Sequence, residues 1–127
     1  MRLLDPDDAP RAVSHYAQGA AVGPLVFVAG QVGISPAGKL AEGIEAQTRQ
    51  ALANVAAVLR AAGATLRDVA STTVYLTDFA NYKGFDAEYG KAFGDHRPAR
   101  ATVRADLVVP PLLVEIQAVA FIQPGEA

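Results

Sequence analysis

The spacing of apolar residues alternates along the chain between a period of two and a period of three to four. Leu25 to Gln31, LVFVAGQ, is β-branched and aromatic and predicts a strand, apolar on both faces and so covered on both. Val13 to Val22, with Tyr16 in its middle, is expected to pair with it across a Gly23-Pro24 turn. Residues 1 to 10 are limited by Pro6 and Pro10 to a short strand or arm, and Ile34 to Gly43, containing SPAGK, reads as a loop. From Ile44 to Ala62 the period lengthens: Ile44, Thr48, Leu52, Val55 and Leu59 form one stripe of a helix, Glu45 and Arg49 pair outside it, and Gly63 is its C′ residue. Val69 to Thr77 alternates again as a strand, and Thr77 or Asp78 can cap a second helix. That helix carries the stripe Tyr82, Phe85, Tyr89 and Phe93, whose spacing predicts core packing, and Gly94 ends it.

The last stretch, Arg97 to Phe121, reads as two adjacent strands joined by the Pro110-Pro111 turn. The order is therefore β-β-α-β-α-β-β over residues 1–127, with no internal repeat and no linker. This predicts one α/β or α+β domain with both helices on one face of a sheet. In the last strand Val114, Ile116, Ala118 and Ala120 share one face, and Leu113, Glu115, Gln117, Val119 and Phe121 share the other. Two helices cover only one face, and the second is too apolar for a solvated surface. A closed homo-oligomer that covers it, with Glu115 at or near a subunit interface, is the expected solution.

Composition narrows the function. Of 127 residues 51% are apolar and 19% charged, as in a folded domain, and the net charge of -2 with no basic run disfavours broad nucleic-acid binding. Cysteine is absent, which excludes disulfides, thiolate catalysis and cysteine-held zinc and fits a cytoplasmic protein. The N-terminus carries three Asp and no long apolar run, so no signal peptide is read there, and no apolar run is long enough to span a bilayer.

Two charged residues stand out against their apolar strands. Arg100, just after Pro98, is either the solvated start of a strand or a guanidinium that clamps a carboxylate bidentately. Glu115, flanked by Leu112, Leu113, Val114 and Ile116, is either a structural ion pair or interface hydrogen bond, or a carboxylate that orients a water and moves a proton. Tyr16 could donate a hydrogen bond to a ligand or simply pack half-buried. Gly30 could admit close backbone approach or merely end a strand. His15 and His96 lack metal-ligand spacing and read as loop or surface residues. No P-loop, dinucleotide fingerprint or nucleophile elbow is present. The residues alone lead to an oligomeric domain with an Arg/Glu pocket for a small carboxylate.

Four stretches in order, HYAQGAAVGPLVFVAGQVGISPAGKL, EAQTRQALANVAAVLRAAGATLRDVASTTVYLTD, RPARATV and VEIQAVA, make the chain resemble the RidA/YjgF family of reactive intermediate deaminases from about Ala9 to Phe121. The resemblance implies a chorismate-mutase-like α+β domain and a homotrimer with active sites in the clefts between subunits. It also implies hydrolysis of 2-enamines or 2-imines, such as 2-aminoacrylate, to 2-keto acids and ammonia, without metal or organic cofactor. By the same resemblance Arg100 binds the substrate carboxylate, Glu115 positions the attacking water, and Tyr16 lines the site. Gly30 turns its backbone N–H to the ligand, and Thr102 lies on a strand position at the pocket. The chain departs from the family pattern at Ser14, His15 and Ala17 around Tyr16, at Ala29 and Ala101 where serine is common, and in a short loop between Phe93 and Pro98. Three lost hydroxyls leave a less polar pocket. The alternatives are a regulatory trimer that senses a small carboxylate, a deaminase for a roomier aminomuconate-like dienamine, and a ribonuclease, which the acidic balance disfavours.

Overall fold

The computed structural model describes residues 1–123. It contains one six-stranded sheet with two long helices: β1 (Arg2–Leu4), β2 (Gly19–Val22), β3 (Leu25–Val32), α1 (Gly43–Ala61), β4 (Val69–Leu76), α2 (Tyr82–Phe93), β5 (Ala99–Arg104) and β6 (Val114–Phe121). The strand order is β1-β2-β3-β6-β4-β5. All neighbours are antiparallel except β4 and β5, which run parallel. Parallel neighbours need a crossover, and α2 supplies it between β4 and β5. β3 and β4 also run the same way, joined through α1, and β6 fills the space between them.

The stripe on α1 is buried as its period requires, with Val55 and Leu59 fully inaccessible and Leu52 nearly so. The C-terminus of α1 closes in a Schellman arrangement: Gly63 at φ +81 donates to the Arg60 carbonyl and Ala64 to the Leu59 carbonyl. The core lies between this stripe, Phe85, Tyr89 and Phe93 of α2, and the inner face of the sheet. That face is built from Val26 and Val28, Val74 and Leu76, and Val114, Ile116, Ala118 and Ala120. The two faces of β6 separate as its alternation predicts.

Four expectations change. Strand pairing before the Gly23-Pro24 turn is confined to Gly19–Val22, because residues 13–16 bend away from the sheet. Arg49 pairs with Glu88 on α2 at 2.9 Å instead of Glu45, since packing α2 onto α1 brings up a nearly buried carboxylate. Asp78 caps the 3-10 turn Phe79–Asn81 ahead of α2, accepting from the Ala80 N–H at 2.8 Å. Most consequentially, β5 and β6 are not adjacent. The Pro110-Pro111 segment lies in a long connection that passes the end of β4, tied there by Ala105 N–H to the Leu76 carbonyl and Thr77 N–H to the Leu113 carbonyl. Gln47, buried on α1, pins the same connection by donating to the Pro111 carbonyl and accepting from the Leu113 N–H. Its side chain occupies the space in which Gly33 has no Cβ.

Among the described residues no helix covers the outer face of the sheet. Phe27, Val103 and Phe121 lie on it, 43%, 41% and 37% exposed, an apolar surface of the kind that marks an interaction face.

Candidate active site

Glu115 sits on the outer face of the central strand β6, opposite Tyr75 of β4 and Val32 of β3. The β3–β6 ladder shifts register between Val28 and Gln31, a bulge that carries Ala29 and Gly30. The bulge brings Gly30 beneath the carboxylate: a Cβ on Gly30 would lie 2.7 Å from Glu115 Cδ and closer still to Oε2. The missing side chain is therefore where the carboxyl group lies, which is why glycine stands at that position. Partial burial raises the pKa of Glu115, and desolvation is the sole cause: neither a cation nor a hydrogen-bond donor among the described residues offsets it. Of the two structural readings, an internal ion pair is thus removed, and the carboxylate is left poised against solvent.

Tyr16 occupies the bend before β2 and is 49% exposed. Two residues on, Gln18 accepts from the Ala29 N–H at 2.8 Å, so the Tyr16 bend lies at the Gly30 end of the sheet. The β3–β6 ladder therefore brings Gly30 and Glu115 together, and Tyr16 lies in the bend that leads into β2.

Arg100 lies elsewhere. Its register partner on β4 is Thr72, which is buried and shares a 2.7 Å hydrogen bond with the Tyr89 hydroxyl of α2. Arg100 therefore faces the helix side of edge strand β5, and Thr102, two residues on and opposite Val74, faces the same way. Glu115 faces the other side. The side chain of Arg100 is only 19% exposed, so it is not a solvated strand start. Its Nη1 donates to Asp86 Oδ1 at 2.9 Å and its Nη2 to the Tyr82 hydroxyl at 2.7 Å. The guanidinium lies over the rings of Tyr89, Phe85 and Tyr82, at 4.8, 5.3 and 5.7 Å from their centroids. Phe85, Tyr89 and Phe93 thus pack the core as their spacing predicts, whereas Tyr82, against that expectation, is 37% exposed and serves with Phe85 and Tyr89 to carry the cation. A cleft of about 300 Å³ opens alongside, floored by Tyr89 and Phe93 and rimmed by Asp86, His96, Arg97 and Arg100.

Sequence reasoning missed Tyr82 and Asp86 as partners of Arg100. The available signal was their spacing with Tyr89, at i, i+4 and i+7, which places all three on one helix face. His96 is held structurally, its Nε2 2.7 Å from the Val69 carbonyl. Among the described residues no group of three or more His, Cys, Asp or Glu is arranged to hold a metal ion, and no helix is long and apolar enough to cross a membrane.

Known proteins match this chain over nearly its whole length. The family model described as Endoribonuclease L-PSP matches residues 6–122. A RutC family protein of Pyrococcus horikoshii is 38% identical over 117 residues, covering 91% of this chain and 93% of that protein. The 2-iminobutanoate/2-iminopropanoate deaminase of Salmonella typhimurium is 36% identical over 123 residues, covering 94% of this chain and 96% of the relative. Among solved structures, RidA from an Antarctic Psychrobacter superposes with a TM-score of 0.92 at 33% identity, over 96% of this chain and all of that one. Escherichia coli TdcF with bound serine gives 0.92 at 29% identity, over 97% and 100%. With a match this complete, in the same α+β fold and at these identities, the chain belongs to the RidA/YjgF family.

Proposed function

We propose that this protein hydrolyses 2-imino acids, and the 2-enamino acids that tautomerise to them, to 2-keto acids and ammonia. The observation that carries the reading is Glu115: a desolvated carboxylate without a counter-ion among the described residues, held over a side-chain-free glycine on an exposed sheet face. Such a group destabilises the fold and is explained by a water or proton that it handles. Relatives named as iminobutanoate deaminases, and a homologous structure with bound serine, point to ligands of amino-acid size.

Arg100 and Thr102 face one side of the sheet while Glu115 and Gly30 face the other, so they share a pocket only when two copies meet. We therefore infer that the chain acts as one domain over residues 1–127, of which 124–127 lie outside the described residues, in a closed homotrimer. In that ring the apolar outer face of one subunit meets the β5 edge of the next. Analytical ultracentrifugation at micromolar concentration is expected to give three times the monomer mass, and a monomer sinks the arrangement.

In the assembled pocket Arg100 fixes the substrate carboxylate, which orients C2 of the protonated imine. Glu115 holds a water against that carbon and accepts its proton as oxygen bonds to C2 and the C=N pair passes to nitrogen. Protonated Glu115 then returns that proton to the carbinolamine nitrogen, the C–N bond breaks as ammonia leaves, and the hydroxyl passes its proton through Glu115 to the departing ammonia as its oxygen becomes the keto group. An iminium is already electrophilic, so positioning supplies most of what the reaction needs. Tyr16 and the Gly30 N–H complete the wall around the substrate, and none of these steps calls for a metal or organic cofactor.

The direct assay supplies imines with an amino-acid oxidase and lets the protein compete with semicarbazide for them. Faster keto-acid release than semicarbazide trapping supports the reading; no effect across small, branched and aromatic side chains rejects it. Gly30→Ala provides a finer test. Its Cβ would displace the Glu115 carboxyl group, so kcat is expected to fall about tenfold while the protein stays folded and Arg100-dependent carboxylate binding persists. Unchanged turnover would show that the position of Glu115 is irrelevant.

A further inference from the structure

Arg100 already has an anion. Asp86 Oδ1 lies 2.9 Å from Nη1 and the Tyr82 hydroxyl 2.7 Å from Nη2, so each terminal nitrogen of the guanidinium already donates to one of the protein's own groups. Asp86 stands one turn from Tyr82 on α2 and rims the cleft that Arg100 also lines. Its side chain is half exposed, so the contact is easily exchanged for another.

We propose that Asp86 is a specificity-determining residue that competes with the substrate carboxylate for Arg100 and keeps affinity for simple 2-imino and 2-keto monocarboxylates low. The inference rests on the deaminase reading for its substrate class, but its physical content is carboxylate binding alone. A ligand carboxylate that takes the N–H held by Asp86 must displace it. One that binds the remaining N–H groups still meets its negative charge beside the same guanidinium. Either route weakens binding, and water and salt at a half-exposed site limit the effect to about tenfold. Tyr82 does not compete in this way, since its neutral hydroxyl only accepts a hydrogen bond. The aromatic bed of Tyr89 and Phe85 holds the cation in place whichever anion it faces.

Asparagine retains an oxygen that can accept from Nη1 and removes the charge. For Asp86→Asn the KM for 2-iminobutanoate is expected to fall about five- to tenfold with kcat within about twofold of wild type. The Kd of the stable product 2-ketobutyrate, read by isothermal titration without turnover, should tighten by the same factor. Arg100→Ala should lose that binding in either background. An unchanged or raised Kd in Asp86→Asn overturns the proposal, because Asp86 would then be idle or would orient Arg100 for the substrate. The two readings separate cleanly. If wild type releases no keto acid but Asp86→Asn still tightens 2-ketobutyrate, the deaminase reading fails and the competition stands. If wild type turns over and Asp86→Asn binds no tighter, the competition fails alone.

Discussion

Arg100→Ala is expected to lower kcat/KM for 2-imino acids by about two orders of magnitude while leaving the fold intact. An arginine that meets a carboxylate through charge-assisted hydrogen bonds gains roughly 1.5–3 kcal/mol from each, and its loss also releases the reacting carbon from its orientation. The loss should appear first in KM, with a smaller fall in kcat, because a substrate that still enters is less often aligned with the Glu115 water. Arg100→Lys should recover little. A lysine ammonium offers a point charge where the fork stood and cannot lie flat on the Tyr89, Phe85 and Tyr82 rings as the guanidinium does.

Stability should fall only modestly in the same variant, through the guanidinium's lost contact with the Tyr89, Phe85 and Tyr82 rings, about 0.5–2 kcal/mol. The Arg100–Asp86 contact lies at the surface with Asp86 half exposed, and such pairs contribute about 0–1 kcal/mol. The aromatic stripe keeps its own packing, with ring centroids 5.3 Å apart for Phe85 and Tyr89 and 4.6 Å for Tyr89 and Phe93. Urea denaturation with an unchanged slope and a midpoint modestly below that of wild type would confirm that lost activity is a site effect. A protein that unfolds early instead would mean that Arg100 serves the fold.

The elements of this protein were legible in the sequence wherever one face of the chain repeats. The α1 stripe, the alternation in β6 and the Gly63 cap each follow from local chemistry, and the structure places each as its period demands. Neighbour relations were legible only across the tight Gly23-Pro24 turn, where β2 pairs with β3 as expected. Alternation in Ala99–Arg104 shows that a strand exists but not what lies beside it, and the α2 crossover sets β5 parallel to β4 instead of against β6. The Pro-Pro segment looked like a hairpin because the strands it joins are close in sequence. The site suffered from the same gap. Arg100 and Glu115 were found as charges out of place, yet which sheet face each occupies depends on register across β4. The closeness of Gly30 to Glu115 depends on a bulge; the glycine signals a close approach, but not which residue approaches. Arg49 shows the smaller version of the error: Glu45 is its helical neighbour, but Glu88 arrives from α2, nearly buried, with more need of a cation.

Glu115→Gln is expected to show the opposite balance from Arg100→Ala: kcat falls about 10²- to 10⁴-fold, KM moves little, and the fold gains. The activity loss is what removal of a positioned base produces, since glutamine can hold a water but cannot take its proton. The stability gain follows from the raised pKa. Desolvation alone raises it, so the folded state holds the Glu115 proton more tightly than the unfolded chain does. Below the ordinary glutamate pKa of 4.5 both states are protonated and the group is harmless. As pH rises from there through the folded-state pKa, the unfolded chain ionises first and is favoured, so Glu115 takes stability away, and does so in full once the pH exceeds the folded-state pKa. Glutamine never ionises and keeps the shape. Its melting temperature should therefore exceed that of wild type at pH 7, and the difference should shrink as pH falls toward 4.5, measured in both proteins at one concentration so that assembly does not intrude. Less stable Glu115→Gln at pH 7 would show that the carboxylate has a partner in the assembled protein and is structural. A variant both more stable and nearly inactive is what a group kept for chemistry at the fold's expense looks like.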